Sequence, residues 1–112
     1  MRFVRSLSAL AVIALSLSAA YSAQGGQAST GKTYTVHIKG FKFDPETIEV
    51  AKGDTVIWIN DDVVPHTATA KGVFDSKGLD QGKSWSYVAS TPGTYPYICT
   101  FHQTMKAKLI VH

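Results

Sequence analysis

Short runs of alternating apolar and polar residues make up most of this sequence. In the run TYTVHIK, Tyr34, Val36 and Ile38 fall on one face, which is the two-residue period of a strand with one buried side. Turn-forming residues such as the pair Gly53–Asp54 separate one run from the next. We find no window with the period of an amphipathic helix. The pattern therefore predicts an all-β domain, and more closely an antiparallel β-sandwich with Greek-key connections.

About seven strands are predicted in this way. Their sequences are TYTVHIK, TIEV, TVIWIN, HTATA, KSWSYVAS, TYPYIC and KAKLIVH. The stretch AKGVFDSKGLDQGK is interrupted by several glycines and indicates a loop. The length of 112 residues leaves room for one compact domain.

The beginning of the chain has a different composition. Arg2 and Arg5 precede an apolar stretch from Leu7 to Leu17, and small residues follow. A positive start, an apolar middle and a small-residue cleavage site are typical of a secretory signal. The alternative is an uncleaved membrane anchor, for which the apolar stretch is short.

The chain is accordingly divided into three parts. We expect residues 1–20 to be the signal peptide, with cleavage after Ala20 or Ala23, which implies a periplasmic protein. Residues 21–32 are rich in small polar residues and glycine and are expected to be a flexible lead-in. Residues 33–112 then form the folded domain.

Removing the signal changes the charge balance. Without Arg2 and Arg5 the eleven basic residues become nine against eight acidic ones, so the formal charge falls from +3 to +1. A nearly neutral domain without a cluster of basic residues gives no case for binding nucleic acid.

A single cysteine lies in the run CTFHQTM, followed by His102 and Met105. An unpaired thiol in an oxidising compartment is exposed to oxidation unless it is buried or bound. The spacing C-x2-H-x2-M brings Cys99 together with an imidazole and a thioether. A thiolate, a weak thioether and two histidines are the ligands of blue-copper electron-transfer sites. The run therefore predicts a copper site that needs a second histidine.

Three histidines could be that ligand. His37 lies on the polar face of its strand, and His112 is the last residue, where fraying is expected. His66 follows a loop and a stiffening proline, at the start of a β-run, and is the histidine we predict. Taken singly, Cys99 and Met105 are ordinary core residues and His66 an ordinary loop residue; only their combination indicates a metal. Zinc is the rival metal, but methionine is a poor zinc ligand.

The chain from Thr33 to His112, with these candidate ligands, resembles the cupredoxins, the small blue copper proteins. The resemblance is carried by FKFDPETIEVAKGDTVIWIN, by PHT around His66, and by GTYPYICTFHQTMKAKLIVH. The short ligand spacing is similar to that of amicyanin. The resemblance implies a type 1 copper ion held by His66, Cys99 and His102 in a plane, with Met105 axial. It also implies that His102 is the exposed ligand through which electrons pass.

The sequence departs from the amicyanin pattern near the ligands. Phe101 and Gln103 stand where prolines flank the histidine, so the segment is less stiff. Thr67 stands where an asparagine typically ties the two ligand segments together, and its hydroxyl can make a similar hydrogen bond. Ala107 replaces a frequent glycine.

The expected function is one-electron transfer through Cu(II)/Cu(I) cycling, without an enzymatic reaction or a small-molecule substrate. A multicopper oxidase needs further copper centres, for which His37 and His112 are too few. The alternative is a copper-binding protein that buffers or delivers the metal. The expected partners are larger redox proteins, a donor dehydrogenase and an acceptor cytochrome or oxidase. They would dock on a monomer near His102, on an apolar surface formed by Val63, Val64, Pro65 and Phe101.

Overall fold

Nine β-strands make up the part of the chain that the structure describes. The computed structural model describes residues 31–112, so the predicted signal segment and most of the predicted lead-in lie outside the described residues. The strands are β1 (Thr33–Lys39), β2 (Lys42–Asp44), β3 (Thr47–Val50), β4 (Thr55–Asn60), β5 (Thr69–Ala70), β6 (Phe74–Asp75), β7 (Ser84–Val88), β8 (Gly93–Cys99) and β9 (His102–Val111). Residues 31–112 contain no helix long and apolar enough to cross a membrane.

The strands form two sheets that enclose one core. The first has the order β2-β1-β4-β7 and the second the order β3-β9-β8-β5-β6. The alternation seen in the sequence decides which side chains face inward: Val36 and Ile38 of β1 are fully buried, as predicted. Residues from both sheets belong to the same buried cluster, so the all-β sandwich is confirmed.

The prediction of a purely antiparallel sandwich is wrong, because both sheets are mixed. Strand β1 runs parallel to β4, and β3 runs parallel to β9, whereas the other pairs are antiparallel. Alternation shows which face of a strand is buried, but it is the same for both pairing directions. The chain after β2 crosses to the second sheet as β3 and returns as β4, which makes β1 and β4 parallel neighbours.

This parallel pair positions the functional end of the molecule. Ile38 near the end of β1 lies opposite Asn60 at the end of β4. The turn that follows β1 and the loop that follows β4 therefore emerge at the same end of the sandwich. The turn between β8 and β9 also belongs to this end, since Thr100 contacts Thr67 of the segment after that loop.

A buried aromatic pair joins the two sheets. Trp58 of β4 is fully buried, and its indole N–H donates to the hydroxyl of Tyr97 of β8 over 3.2 Å. The ring of Phe43 packs edge-on against Tyr97 with centroids 4.8 Å apart. Burial raises the pKa of Tyr97 to about 12, although the Trp58 hydrogen bond acts in the opposite direction.

Tyr97 therefore makes the stability of the fold sensitive to alkaline pH. A tyrosine of an unfolded chain ionises near pH 10, whereas the folded protein keeps this proton to about pH 12, so unfolding releases it and stability falls as pH rises through that window. Below about pH 10 Tyr97 is protonated in both states, and the folded protein has its full stability with respect to this group. Two pKa units correspond to roughly 2–3 kcal/mol.

Tyr97→Phe should remove the part of the pH dependence of stability that comes from this hydroxyl. The substitution also removes the hydrogen bond to Trp58. Urea unfolding of both proteins between about pH 8 and pH 12 should show the wild type more stable at the lower pH and its advantage shrinking above about pH 10. Thr94→Ser, an exposed change on the same strand, should follow the wild type. Parallel pH profiles for the wild type and Tyr97→Phe would contradict the assignment.

Candidate metal centre

Two backbone hydrogen bonds hold His66 in place without a metal. Its N–H donates to the carbonyl of Leu79 over 3.1 Å, and its carbonyl accepts the N–H of Leu79 over 2.8 Å, an isolated bridge just after the loop that follows β4. The side chain is fully buried. A ligand fixed in this way loses little conformational entropy when it binds an ion.

Cys99 and His102 face each other across a tight hairpin. Cys99 ends β8, His102 begins β9, and only Thr100 and Phe101 lie between them. The predicted strands TYPYIC and KAKLIVH leave residues 100–105 between them, but His102 to Met105 already belong to β9. The hairpin places the Sγ of Cys99 3.8 Å from the Nδ1 of His102.

The three side chains converge on one point. The Sγ of Cys99 lies 3.6 Å from the Nδ1 of His66, and the ligand atoms of His66, Cys99 and His102 all lie within 4.8 Å of one another. Metal–sulfur and metal–nitrogen bonds of about 2.3 and 2.0–2.1 Å, as at zinc, hold two such atoms roughly 3.6–3.8 Å apart at angles near 110–120°. The observed separations fit a single ion bound by all three.

Met105 lies further along β9 and is buried, with 4% of its surface exposed. It lines a groove together with the aromatic residues Phe41 and Phe43 and the charged residues Lys42, Glu46 and Lys106. It follows His102 at the predicted spacing. Two imidazoles and a thiolate, joined by a weak, soft thioether, would be the donor set that favours copper over zinc.

The remaining two histidines of the described chain lie elsewhere. His37 pairs through its Nδ1 with Asp61 at 2.7 Å, and His112 pairs through its Nε2 with Glu49 at 3.3 Å. All four side chains are exposed to solvent. These positions agree with the prediction that His66, and neither of these two, accompanies His102.

Asp62 forms a hydrogen bond with the ring of His66. This role of Asp62 was not predicted from the sequence. The Nε2 of His66 lies 2.8 Å from an Oδ of Asp62. An ionised carboxylate only accepts hydrogen bonds, so the ring donates from Nε2 and its Nδ1 carries the lone pair that faces Cys99. The spacing of four residues between an aspartate and a histidine was the only signal in the sequence, and it is a weak one.

The same carboxylate also holds the turn after β1. It accepts the N–H of Gly40 over 2.8 Å and the N–H of Phe41 over 2.9 Å. Burial alone would raise the pKa of Asp62, but these two N–H groups and the neighbouring His66 lower it below its usual value. Asp62 therefore stays ionised at neutral pH and links the turn to the histidine.

Phe41 occupies an unusual backbone conformation in that turn. Its φ is 59°, following Gly40 at 61°, in a two-residue hairpin between the paired residues Lys39 and Lys42. Such a φ costs a non-glycine residue on the order of 1 kcal/mol or more. In this position the ring meets His66 and His102 edge-on, with centroids 5.2 and 4.9 Å apart. The strained turn thus places an aromatic side chain over both imidazoles.

Thr67 connects the two segments that carry the ligands. Its Oγ1 accepts the N–H of Thr100 over 2.9 Å, and its own N–H points at the Sγ of Cys99 over 3.4 Å. The predicted hydrogen bond between the two ligand segments is therefore made by the hydroxyl of Thr67. The resemblance leads one to expect an asparagine at this position.

Asn60 fixes the shape of the loop before His66. Its amide nitrogen donates to the carbonyls of Val64 and Leu79, both over 2.8 Å, and its Oδ1 accepts the N–H of Asp62 over 2.9 Å. The side chain is fully buried, and both its amide nitrogen and its amide oxygen are hydrogen-bonded. Asn60 was read from the sequence only as the end of a strand.

Apolar residues are exposed in the segments that carry His66 and the partly exposed His102. Val63 is 82% exposed, Phe101 55% and Val64 37%, and Pro65 is exposed as well. The four residues predicted for the docking surface are therefore exposed. Phe41, 49% exposed, belongs to the same end and was missed because its turn is far away along the chain.

Comparison with known proteins agrees with this geometry. The family model described as a cupredoxin-like domain matches residues 8–111. Amicyanin-alpha of Methylorubrum extorquens is 35% identical over 112 residues, covering 92% of this chain and 94% of that protein.

Solved structures give the same result. A Cu(I) form of an amicyanin variant matches with a TM-score of 0.67 and 29% identity, covering 71% of this chain and 82% of that one. A copper-containing nitrite reductase from Thermus scotoductus matches with a TM-score of 0.68 and 30% identity, but this chain covers only 22% of it. Since the family model matches residues 8–111 and an amicyanin relative aligns over most of both chains, the chain belongs to the cupredoxin-like family.

Proposed function

We propose that this protein is an electron carrier that binds one copper ion through His66, Cys99, His102 and Met105. The observation that carries the proposal is the convergence of one thiolate and two imidazole nitrogens within 4.8 Å, two of these separations being 3.6 and 3.8 Å. The relatives support it, since a matching amicyanin structure is a Cu(I) form. When bound, copper supplies a Cu(II)/Cu(I) couple that takes up and releases one electron.

The protein's own residues keep the geometry constant during that cycle. Asp62 holds the proton on the Nε2 of His66, so Nδ1 remains a donor in both oxidation states. The bridge between His66 and Leu79 and the short hairpin of Cys99 hold the ligands from two directions. The ring of Phe41 packs against both imidazoles, of which His66 is fully buried and His102 partly exposed. Little rearrangement then accompanies electron transfer.

The surface around His102 is proposed as the docking site for larger redox proteins, a donor dehydrogenase and an acceptor cytochrome or oxidase. It is apolar, with Val63, Val64, Phe101 and Phe41 exposed around a partly exposed ligand. Small interfaces of this kind suit brief encounters between redox partners. We propose that the protein acts there as a monomer and carries out no enzymatic reaction of its own.

The periplasm is the proposed location. The positive start, apolar stretch and small residues of positions 1–20 support it. Cys99 is free and buried. In an oxidising compartment copper would protect this thiol from other reactions.

Titrating Cu(II) into the purified protein tests the function. A carrier should bind one copper ion per chain, develop an intense visible absorption from thiolate-to-copper charge transfer, and give fast, reversible one-electron voltammetry. A complex that is colourless or exchanges electrons slowly would favour copper buffering or delivery instead. Protein that binds no copper and keeps a freely titratable Cys99 would contradict both the electron carrier and the copper-buffering alternative.

Met105→Gln tests the axial ligand. We expect copper to remain bound and the reduction potential to fall by at least ~59 mV, which for one electron is a tenfold change in relative affinity, because the axial donor tunes the potential. Cyclic voltammetry measures this directly. Thr104→Ser, an exposed change on the neighbouring residue, serves as the control. An unchanged potential in Met105→Gln would show that Met105 does not contact the metal.

A further inference from the structure

The two candidate histidine ligands are supported by different means. The Nε2 of His66 lies 2.8 Å from a carboxylate oxygen of Asp62, and this hydrogen bond orients the ring. Within residues 31–112 the only hydrogen-bond contact of the His102 ring is the one between its Nδ1 and the Sγ of Cys99, at 3.8 Å. The second side-chain torsion of histidine has broad minima, so a ring without a firm hydrogen bond is oriented by packing. The orientation of His102 therefore depends on what packs against it.

Phe41 packs against both imidazole rings. Its ring centroid lies 4.9 Å from that of His102 at an interplanar angle of 90°, and 5.2 Å from that of His66 at 88°. Perpendicular aromatic pairs at such distances attract each other by more than the area that they bury, because the positive edge of one ring meets the negative face of the other. Since His66 also has its hydrogen bond to Asp62, the contact with Phe41 matters most for His102.

The backbone of Phe41 is strained, and the turn itself does not require a ring at this position. Gly40 and Phe41 have φ values of 61° and 59°, both positive, as in a type I′ turn. Glycine adopts such a φ freely, whereas a phenylalanine there is strained. Strain of this kind persists where the surrounding structure holds it and is concentrated at functional sites. The reason for a phenylalanine therefore lies in what its ring contacts.

Asp62 holds the strained turn in place. Its carboxylate accepts the N–H of Gly40 over 2.8 Å and the N–H of Phe41 over 2.9 Å. The same carboxylate makes the hydrogen bond to the Nε2 of His66. One side chain thus reaches both imidazoles, directly at His66, and at His102 through the turn and the ring of Phe41.

We propose that Phe41 is a positioning residue for His102, kept in its strained turn by Asp62. The ring restricts rotation of the His102 imidazole and keeps its Nδ1 directed towards Cys99. The effect on a bound copper ion rests on the proposed function, whereas the orientation of His102 in the metal-free protein does not. One measurement with copper and one without it therefore separate the two.

Phe41→Gly removes the ring and relieves the turn. A Gly-Gly pair suits a type I′ turn, and both N–H groups that bond to Asp62 remain. In the metal-free protein we expect weaker nuclear Overhauser effects between the Hε1 of His102, which is next to Nδ1, and the β-protons of Cys99. With copper bound, we expect release of the metal to a chelator to accelerate about tenfold, as for loss of a group that supports a metal ligand, and the visible band to shift.

Lys77→Gly is the matched control for the backbone change. Lys77 also has a φ of 59°, but its side chain is exposed and pairs with Asp75. This variant should keep the wild-type Overhauser effects and the wild-type rate of copper release. Phe41→Tyr retains the aromatic ring and should also behave as the wild type does.

Wild-type Overhauser effects in Phe41→Gly would overturn the proposal, even if urea unfolding showed a loss of stability, because the ring would then support only the fold. Equal changes in Phe41→Gly and Lys77→Gly would overturn it as well. Weaker Overhauser effects with an unchanged rate of copper release would overturn the role of Phe41 at the copper site. A wild type that binds no copper would refute the proposed function, and the metal-free measurement would still decide whether Phe41 orients His102.

Discussion

Cys99→Ser is expected to abolish the visible absorption of the copper-loaded protein. The thiolate is the source of the charge-transfer band, and a serine hydroxyl stays protonated and is a much poorer ligand for copper. Because Cys99 is fully buried and serine has almost the same shape, the fold should survive. We expect copper affinity to fall by more than the 10–100-fold that follows the loss of a group supporting a ligand.

Absorption spectroscopy and competition with a chelator measure the two effects. The hydroxyl introduced at residue 99 can still accept the N–H of Thr67, which now donates to the sulfur over 3.4 Å, so far-UV circular dichroism should match the wild type. Thr104→Ala, an exposed change in the adjacent strand β9, should keep both colour and affinity. Colour retained in Cys99→Ser would exclude Cys99 as a ligand and with it the proposed copper site.

Asn60→Leu is expected to cause the largest loss of stability among the residues around the site. Leucine has a similar volume but can make none of the three hydrogen bonds of Asn60, which go to Val64, Leu79 and Asp62. The carbonyl of Leu79 keeps the N–H of His66 as a partner, whereas the carbonyl of Val64 and the N–H of Asp62 lose theirs, at a cost of about 1–3 kcal/mol each where no water replaces the amide. We expect a loss of about 3 kcal/mol, and a looser loop before His66 that weakens copper binding.

Urea unfolding of the metal-free proteins measures this loss without a contribution from copper. Asn60→Asp keeps the shape and one acceptor but turns a carboxylate oxygen towards two carbonyls, so it should also destabilise. Ser86→Ala, an exposed change on β7, should stay within about 0.5 kcal/mol of the wild type. An unchanged midpoint for Asn60→Leu would mean that the loop does not depend on this amide.

The strands that alternate clearly were predictable from the sequence. TYTVHIK corresponds to β1, and the two runs around Gly53–Asp54 correspond to β3 and β4. The strands β2 and β6 were missed because they have only three and two residues, too few for any period to appear. Strand β9 begins earlier than KAKLIVH because pairing with β8 extends it to His102.

The candidate ligands were predictable for a chemical reason. Few residue types bind a soft metal, and three such residues lie within seven positions, so composition and spacing alone narrowed the choice. His66 followed by elimination. The supporting residues had no such signal, because an aspartate, an asparagine and a phenylalanine have many ordinary uses. Asp62, Asn60 and Phe41 acquire their roles only from what lies next to them.

The sequence by itself therefore determined the all-β class, the buried faces of the long strands and the donor set, since these depend on local periodicity and on side-chain chemistry. The tertiary structure alone decided the direction of strand pairing, because alternation is the same for both directions. The parallel pairing of β1 with β4 is the decisive case. It brings the turn of Phe41 beside the loop of Asp62, so one carboxylate holds both that turn and the ring of His66.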